Sequence, residues 1–86
     1  PEESLYRNTC DVSDLNLFTS SFQNGPTVAE VKVRYATPTT PATIYPLNSS
    51  TLRIQFHKPQ RALSPGHSAV FYRDNEVLGG GIIQPF

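Results

Sequence analysis

Along the chain, apolar and polar residues alternate with a period of two in several short stretches. The clearest covers 28–35, where Ala29, Val31, Val33 and Tyr35 fall on one face and Glu30, Lys32 and Arg34 on the other. Leu52, Ile54 and Phe56 repeat the pattern, with Arg53, Gln55 and His57 opposite them. Successive side chains of a strand point to opposite faces, so each stretch predicts a strand that covers a core with one side. Less regular stretches predict further strands over 11–18, 42–47, 68–73 and 76–84. Turn chemistry separates them. Asn48-Ser49-Ser50 predicts a hairpin loop between the third and fourth strands. Pro65-Gly66 predicts a tight turn before Ser68, and Asp74-Asn75 a two-residue turn that requires positive φ. Thr37–Pro41, with Pro38 and Pro41, reads as a stiff connector between strands rather than as a PxxP ligand.

Six short strands predict an all-β fold, a small closed antiparallel β-barrel, since closure removes edges that so small a sheet cannot protect. Val31, Val33, Tyr35, Leu52, Ile54 and Phe56 are expected inside it, with no helix longer than a turn or two.

Composition narrows the class. Apolar residues make up 37% of the 86, and no apolar run approaches the length of a transmembrane helix. The chain has no Met, opens Pro1-Glu2-Glu3, and shows no signal peptide among its residues. It therefore reads as one domain, 1–86, excised from a longer protein. The lone Cys10 cannot form an internal disulfide, so a reducing, cytoplasmic setting is the expectation.

The net charge of zero conceals an uneven distribution. Lys32, Arg34, Arg53, Lys58, Arg61 and Arg73 fall within 31–73, a span without acids, whereas Glu2, Glu3, Asp11, Asp14 and Glu30 precede it against Arg7 alone. That asymmetry points toward a polyanionic partner, although water-facing strand positions carry Lys and Arg in many proteins.

Catalytic candidates are few. Cys10 lacks the His or acid pattern of a nucleophile and reads as a small buried or half-buried thiol. His57 and His67, with one Cys, have no metal-ligand spacing. Gly79-Gly80-Gly81 lacks the Lys-Ser/Thr of a phosphate loop; three glycines in a strand read instead as a bulge or a close backbone approach. The expectation is a domain with no catalytic, cofactor-binding or metal residues of its own.

The run Phe56-His57-Lys58-Pro59-Gln60-Arg61-Ala62-Leu63-Ser64-Pro65-Gly66-His67-Ser68-Ala69-Val70-Phe71-Tyr72, followed by Leu78-Gly79-Gly80-Gly81-Ile82-Ile83, resembles the C-terminal signature of tRNA-specific 2-thiouridylases. Lys32-Val33-Arg34-Tyr35 resembles the K-x-R-[YH] strand of that family, and Asp14–Phe18 lies at its V/L-x-W element. His67 stands where the family has Gln, Leu17 where it has Trp, and Ala36 where Arg or Gly is common. The resemblance implies a C-terminal barrel similar to domain 2 of translation elongation factors. It also implies a parent enzyme whose other domains use ATP to adenylate the wobble uridine of tRNA and a cysteine persulfide to replace its oxygen with sulfur. Cys10 matches neither catalytic cysteine of that scheme, and nothing resembles a methyl-donor site.

Two functional readings follow. In one, Lys32, Arg34, Arg53, Lys58 and Arg61 contact the tRNA backbone, with Lys58 and Arg61 in the loop before Pro65-Gly66. In the other, the barrel packs against the catalytic and central domains through Gly79, Gly80, Gly81 and Ile82. A sulfur-donor protein is a further candidate partner, and no membrane is expected.

Overall fold

A computed structural model describes residues 5–34 and 37–86. Six strands, β1 (Tyr6–Leu17), β2 (Thr27–Lys32), β3 (Thr40–Asn48), β4 (Thr51–Arg61), β5 (Ser68–Arg73) and β6 (Glu76–Ile83), close into an antiparallel barrel in the order β1-β4-β3-β2-β5-β6. All-β closure agrees with the alternation. Val31, Leu52, Ile54 and Phe56 are buried, Val33 packs against the core from its edge, and Tyr35 lies outside the described residues. The turns also agree. Asp74 and Asn75 have φ of 51° and 69°, and the Asn48 Oδ1 accepts the Ser50 N–H at 2.9 Å.

Several boundaries differ from the expectation: β1 begins at Tyr6, well before position 11, and β2 ends at Lys32, so that Val33 and Arg34 follow the strand. Lys58 and Arg61 lie within β4, not in a loop after it. Pro59 does not end the strand because it falls where the β1–β4 register slips, between the pairs Thr9↔Gln55 and Arg7↔Gln60; a bulge tolerates a missing N–H. Similarly, Thr40 and Pro41 begin β3 instead of closing the connector. Pairing of β3 with β4 starts only at Ala42↔Phe56, so the missing N–H of Pro41 empties no rung on that side.

Each end of the barrel is closed by an apolar side chain that alternation did not mark. Phe22, on the 3₁₀ turn Ser21–Gln23, is fully buried with its ring centroid 5.1 Å from that of Phe71. Leu63 is buried at the opposite end, in the segment that leaves β4. Among the described residues no helix is long and apolar enough to cross a membrane.

Candidate nucleic-acid interface

Strand direction fixes where the charges go. The C-terminal ends of β2 and β4 meet the N-terminal end of β1 at one end of the barrel, so Arg7, Lys32, Arg34, Lys58 and Arg61 share a rim. That is five of the seven Lys and Arg of the chain. Arg73 goes to the other end, opposite Glu76 and beside Asp74.

Backbone geometry organises the rim. Ala62 adopts φ 53°, in the left-handed region, as the chain turns to bury Leu63. The Arg34 Nη2 donates to the Ala62 carbonyl at 2.8 Å and to the neighbouring Arg61 carbonyl. Thr37 in turn donates its Oγ1 to the Arg34 carbonyl at 3.1 Å. The Arg34 guanidinium is thereby held by one nitrogen, and its Nε and Nη1 have no partner among the described residues.

Two grooves share Val33 and Arg34 as a common wall. The first, of about 280 Å³, runs between 37–40 and the end of β4, with Arg34, Lys58 and Arg61 around it. The second, of about 510 Å³, lies on the outer face of β2 and β5, with Lys32, Val70 and Tyr72 as walls and Gly66-His67 at its mouth. No carboxylate lines either groove among the described residues. Glu30, the nearest acid along β2, accepts a hydrogen bond from Thr39 Oγ1 at 3.1 Å. Arg7 stacks over the Phe86 ring at 3.8 Å.

Arg53 stands apart from this rim. It sits near the start of β4 on its outer face, about 17 Å along the strand from Lys58 at the usual rise per residue. Its guanidinium grips both oxygens of Asp11, across the β1–β4 pair, at 2.8 and 3.2 Å. The hydrogen bond and charge of Asp11 raise the Arg53 pKa still further. The bond also neutralises the site locally.

The glycines of β6 are answered within the barrel. A Cβ on Gly79 would stand 2.5 Å from the Asn16 carbonyl oxygen, on Gly80 2.5 Å from that of Ala69, and on Gly81 2.7 Å from that of Ser13. The backbones that approach closely are therefore β1 and β5 of the same chain, next to register shifts on both sides of β6. Over these glycines runs an apolar trough of about 300 Å³, bordered by Phe18, Val77 and Ile82 with Asp14 and Asn16 at its edge. Phe18 is 65% exposed there.

Cys10 faces the core, and burial, with a smaller contribution from Asp11, pushes its thiol up to about 12. The His57 Nε2 pairs with Thr43 Oγ1 at 3.0 Å. His67 is exposed beside the second groove, and no cluster of three His, Cys, Asp or Glu side chains forms among the described residues. Sequence reasoning singled out neither Arg7 nor Tyr72 for the rim. Only the β1–β4 register brings Arg7 there, and only the β2–β5 pairing, with Tyr72 opposite Glu30 and Val70 opposite Lys32, brings Tyr72 into the wall of the second groove.

Fold and site together define the class: a small closed antiparallel β-barrel with one cationic rim. The chain belongs to the family described as the aminomethyltransferase beta-barrel domain, whose model matches residues 7–83. It is similar to the tRNA-specific 2-thiouridylase MnmA of Clostridium perfringens, 37% identical over 84 residues. The proteins of the same name from Chlorobium luteolum and Nostoc punctiforme are 43% identical over 88 residues and 42% over 77. These alignments cover 98%, 98% and 90% of this chain but only 23%, 24% and 22% of the relatives, so it corresponds to one domain of theirs.

Proposed function

We propose that this barrel is the C-terminal, tRNA-contacting domain of an ATP-dependent tRNA 2-thiouridylase, a larger enzyme that converts the wobble uridine to 2-thiouridine. Adenylation and persulfide transfer then belong to the other domains. ATP is a cofactor of those domains and not of this one. The barrel adds affinity by placing Lys32, Arg34, Lys58 and Arg61 against tRNA phosphates, contacts that position RNA without reading its sequence. The observation that carries this reading is the gathering of separated cations on one rim whose grooves hold no described carboxylate. The test is tRNA binding by the chain, and by the longer enzyme, as a function of salt. Replacing Lys58 and Arg61 by Ala should weaken binding and flatten the slope of log affinity against log salt by about 0.7–0.9 for each phosphate no longer neutralised. An unchanged slope in folded protein overturns the reading.

A second reading rests on the trough over Gly79, Gly80 and Gly81. Exposed Phe18 and Val77 beside Ile82 make an apolar surface suited to packing against the rest of the parent chain. On that reading Ile82→Ser or Phe18→Ser in the longer enzyme lowers its stability and leaves the salt slope alone.

A further inference from the structure

The rim carries two unlike grooves with one shared wall, and phosphate contact alone uses only the first. The first groove is walled by three cations and by Thr and Gln side chains, a lining for an anion. The second is nearly twice as large and is walled by an aromatic ring, an apolar Val70 and two cations, Lys32 and the shared Arg34, with the exposed His67 also in its lining. Tyr72 and Val70 both project outward from β5, two positions apart on one face, so ring and aliphatic surface are continuous. Lys32 stands opposite Val70 in the β2–β5 register. A ring, an apolar floor and a flanking cation are what an unstacked base needs, since every base offers a π-face and an edge of polar groups. Arg34 separates the two grooves with its Nη2 fixed on the backbone carbonyls of Arg61 and Ala62. A preset guanidinium loses little freedom when a ligand arrives.

We infer that the rim binds single-stranded RNA through a two-part nucleotide site, with a backbone phosphate between Arg34, Lys58 and Arg61 and the adjoining nucleotide in the second groove, its base against Tyr72 and Val70 beside Lys32. This rests on the RNA-contacting reading above and narrows it to unpaired RNA. A duplex, whose bases are stacked and paired, would engage the first groove only.

The experiment compares binding of a fluorescein-labelled oligouridylate of about eight nucleotides with that of a blunt RNA duplex of the same length, at one salt concentration, to the 86-residue chain. The single strand should bind about tenfold or more tightly than the duplex. Tyr72→Ala should weaken single-strand binding by about 5- to 150-fold, the range that one stacked base is worth, without changing the salt slope. Lys58→Ala should weaken both ligands and flatten both slopes. Tyr72→Phe, which keeps the ring, should bind like the parent. His67→Ala changes an exposed side chain outside the strands and should weaken only the single strand, so it carries the test if Tyr72→Ala fails to fold. Equal affinity for the two ligands, with Tyr72→Ala and His67→Ala silent, overturns the nucleotide site while leaving phosphate contact standing. Failure of both RNAs to bind the folded chain, and of tRNA to respond to rim substitutions in the longer enzyme, overturns the RNA reading as well.

Discussion

Replacement of Gly80 by Ala tests whether the glycines of β6 serve the barrel itself. Gly80 lies outside the left-handed region, so the substitution imposes no backbone strain of its own. The cost is steric. The new Cβ would stand 2.5 Å from the Ala69 carbonyl oxygen and 3.4 Å from the Val70 Cα. Real Cβ atoms essentially never come nearer than 3.0 Å, so β5 and β6 must part by about 0.5 Å or more. Neither side can yield by a rotamer change, because the opposing atoms are backbone in a paired strand. Overpacking of this kind costs about 1–3 kcal/mol. The stiffer unfolded chain returns about 0.4–1 kcal/mol, which leaves a net loss of about 1–2 kcal/mol. Against a total near 4–13 kcal/mol for a chain of this length, that is a large fraction. Urea unfolding of the 86-residue chain should show it as a midpoint lowered by about 1 M, given a slope near 1–1.5 kcal/mol/M. Gly66→Ala provides the contrast. Gly66 has φ 90° and open space around it, so its loss of about 1 kcal/mol is purely conformational. If Gly80→Ala unfolds within about 0.5 kcal/mol of the parent chain, the internal role of this glycine is refuted. A loss that appeared only in the longer enzyme would move the glycines to an interface between domains.

Two further outcomes follow from the same geometry. Burial holds the Cys10 thiol protonated up to about pH 12, against an ordinary value of 9.0, so the folded state binds the proton more tightly than the unfolded state. Stability from this group is therefore complete below pH 9 and is lost as pH rises toward 12, at about 1.4 kcal/mol per pH unit, and Cys10→Ser should remove that alkaline slope in denaturation measured across pH. Cys10→Ser should also leave thiolation by the longer enzyme within a few-fold of the parent; loss of sulfur transfer in folded protein would place Cys10 in the chemistry. Arg53→Ala should leave the salt dependence of RNA binding unchanged, because Asp11 already pairs with that guanidinium, whereas Arg61→Ala should flatten it; equal effects at the two positions would extend the RNA surface along the outer face of β4.

How far the sequence reaches depends on the range of the interaction involved. Alternation at 29–33 and 52–56 determined the strands and their buried faces, because a period of two is a local property of extended backbone. Asp74-Asn75 and Pro65-Gly66 determined turns for the same reason: φ preferences act within a residue or two. The resemblance of 56–72 and 78–83 to a known signature was likewise legible as written. The run of β4 past His57 was not legible, since alternation stops there and a proline argues locally against a strand; only the slip in pairing with β1 makes room for Pro59. Phe22 and Leu63 gave no periodic signal, because they plug the barrel from its ends and do not line its walls. The charges show the division most plainly. Composition and position made 31–73 basic, but nothing in the one-dimensional order distinguishes Arg53 from Arg61. Closure of six antiparallel strands sends Arg61, Lys58 and Arg34 to one rim and sets Arg53 against Asp11, forty-two positions away in sequence. Which cations remain available to a polyanion is a question of register, and register is fixed only when the whole core is buried at once.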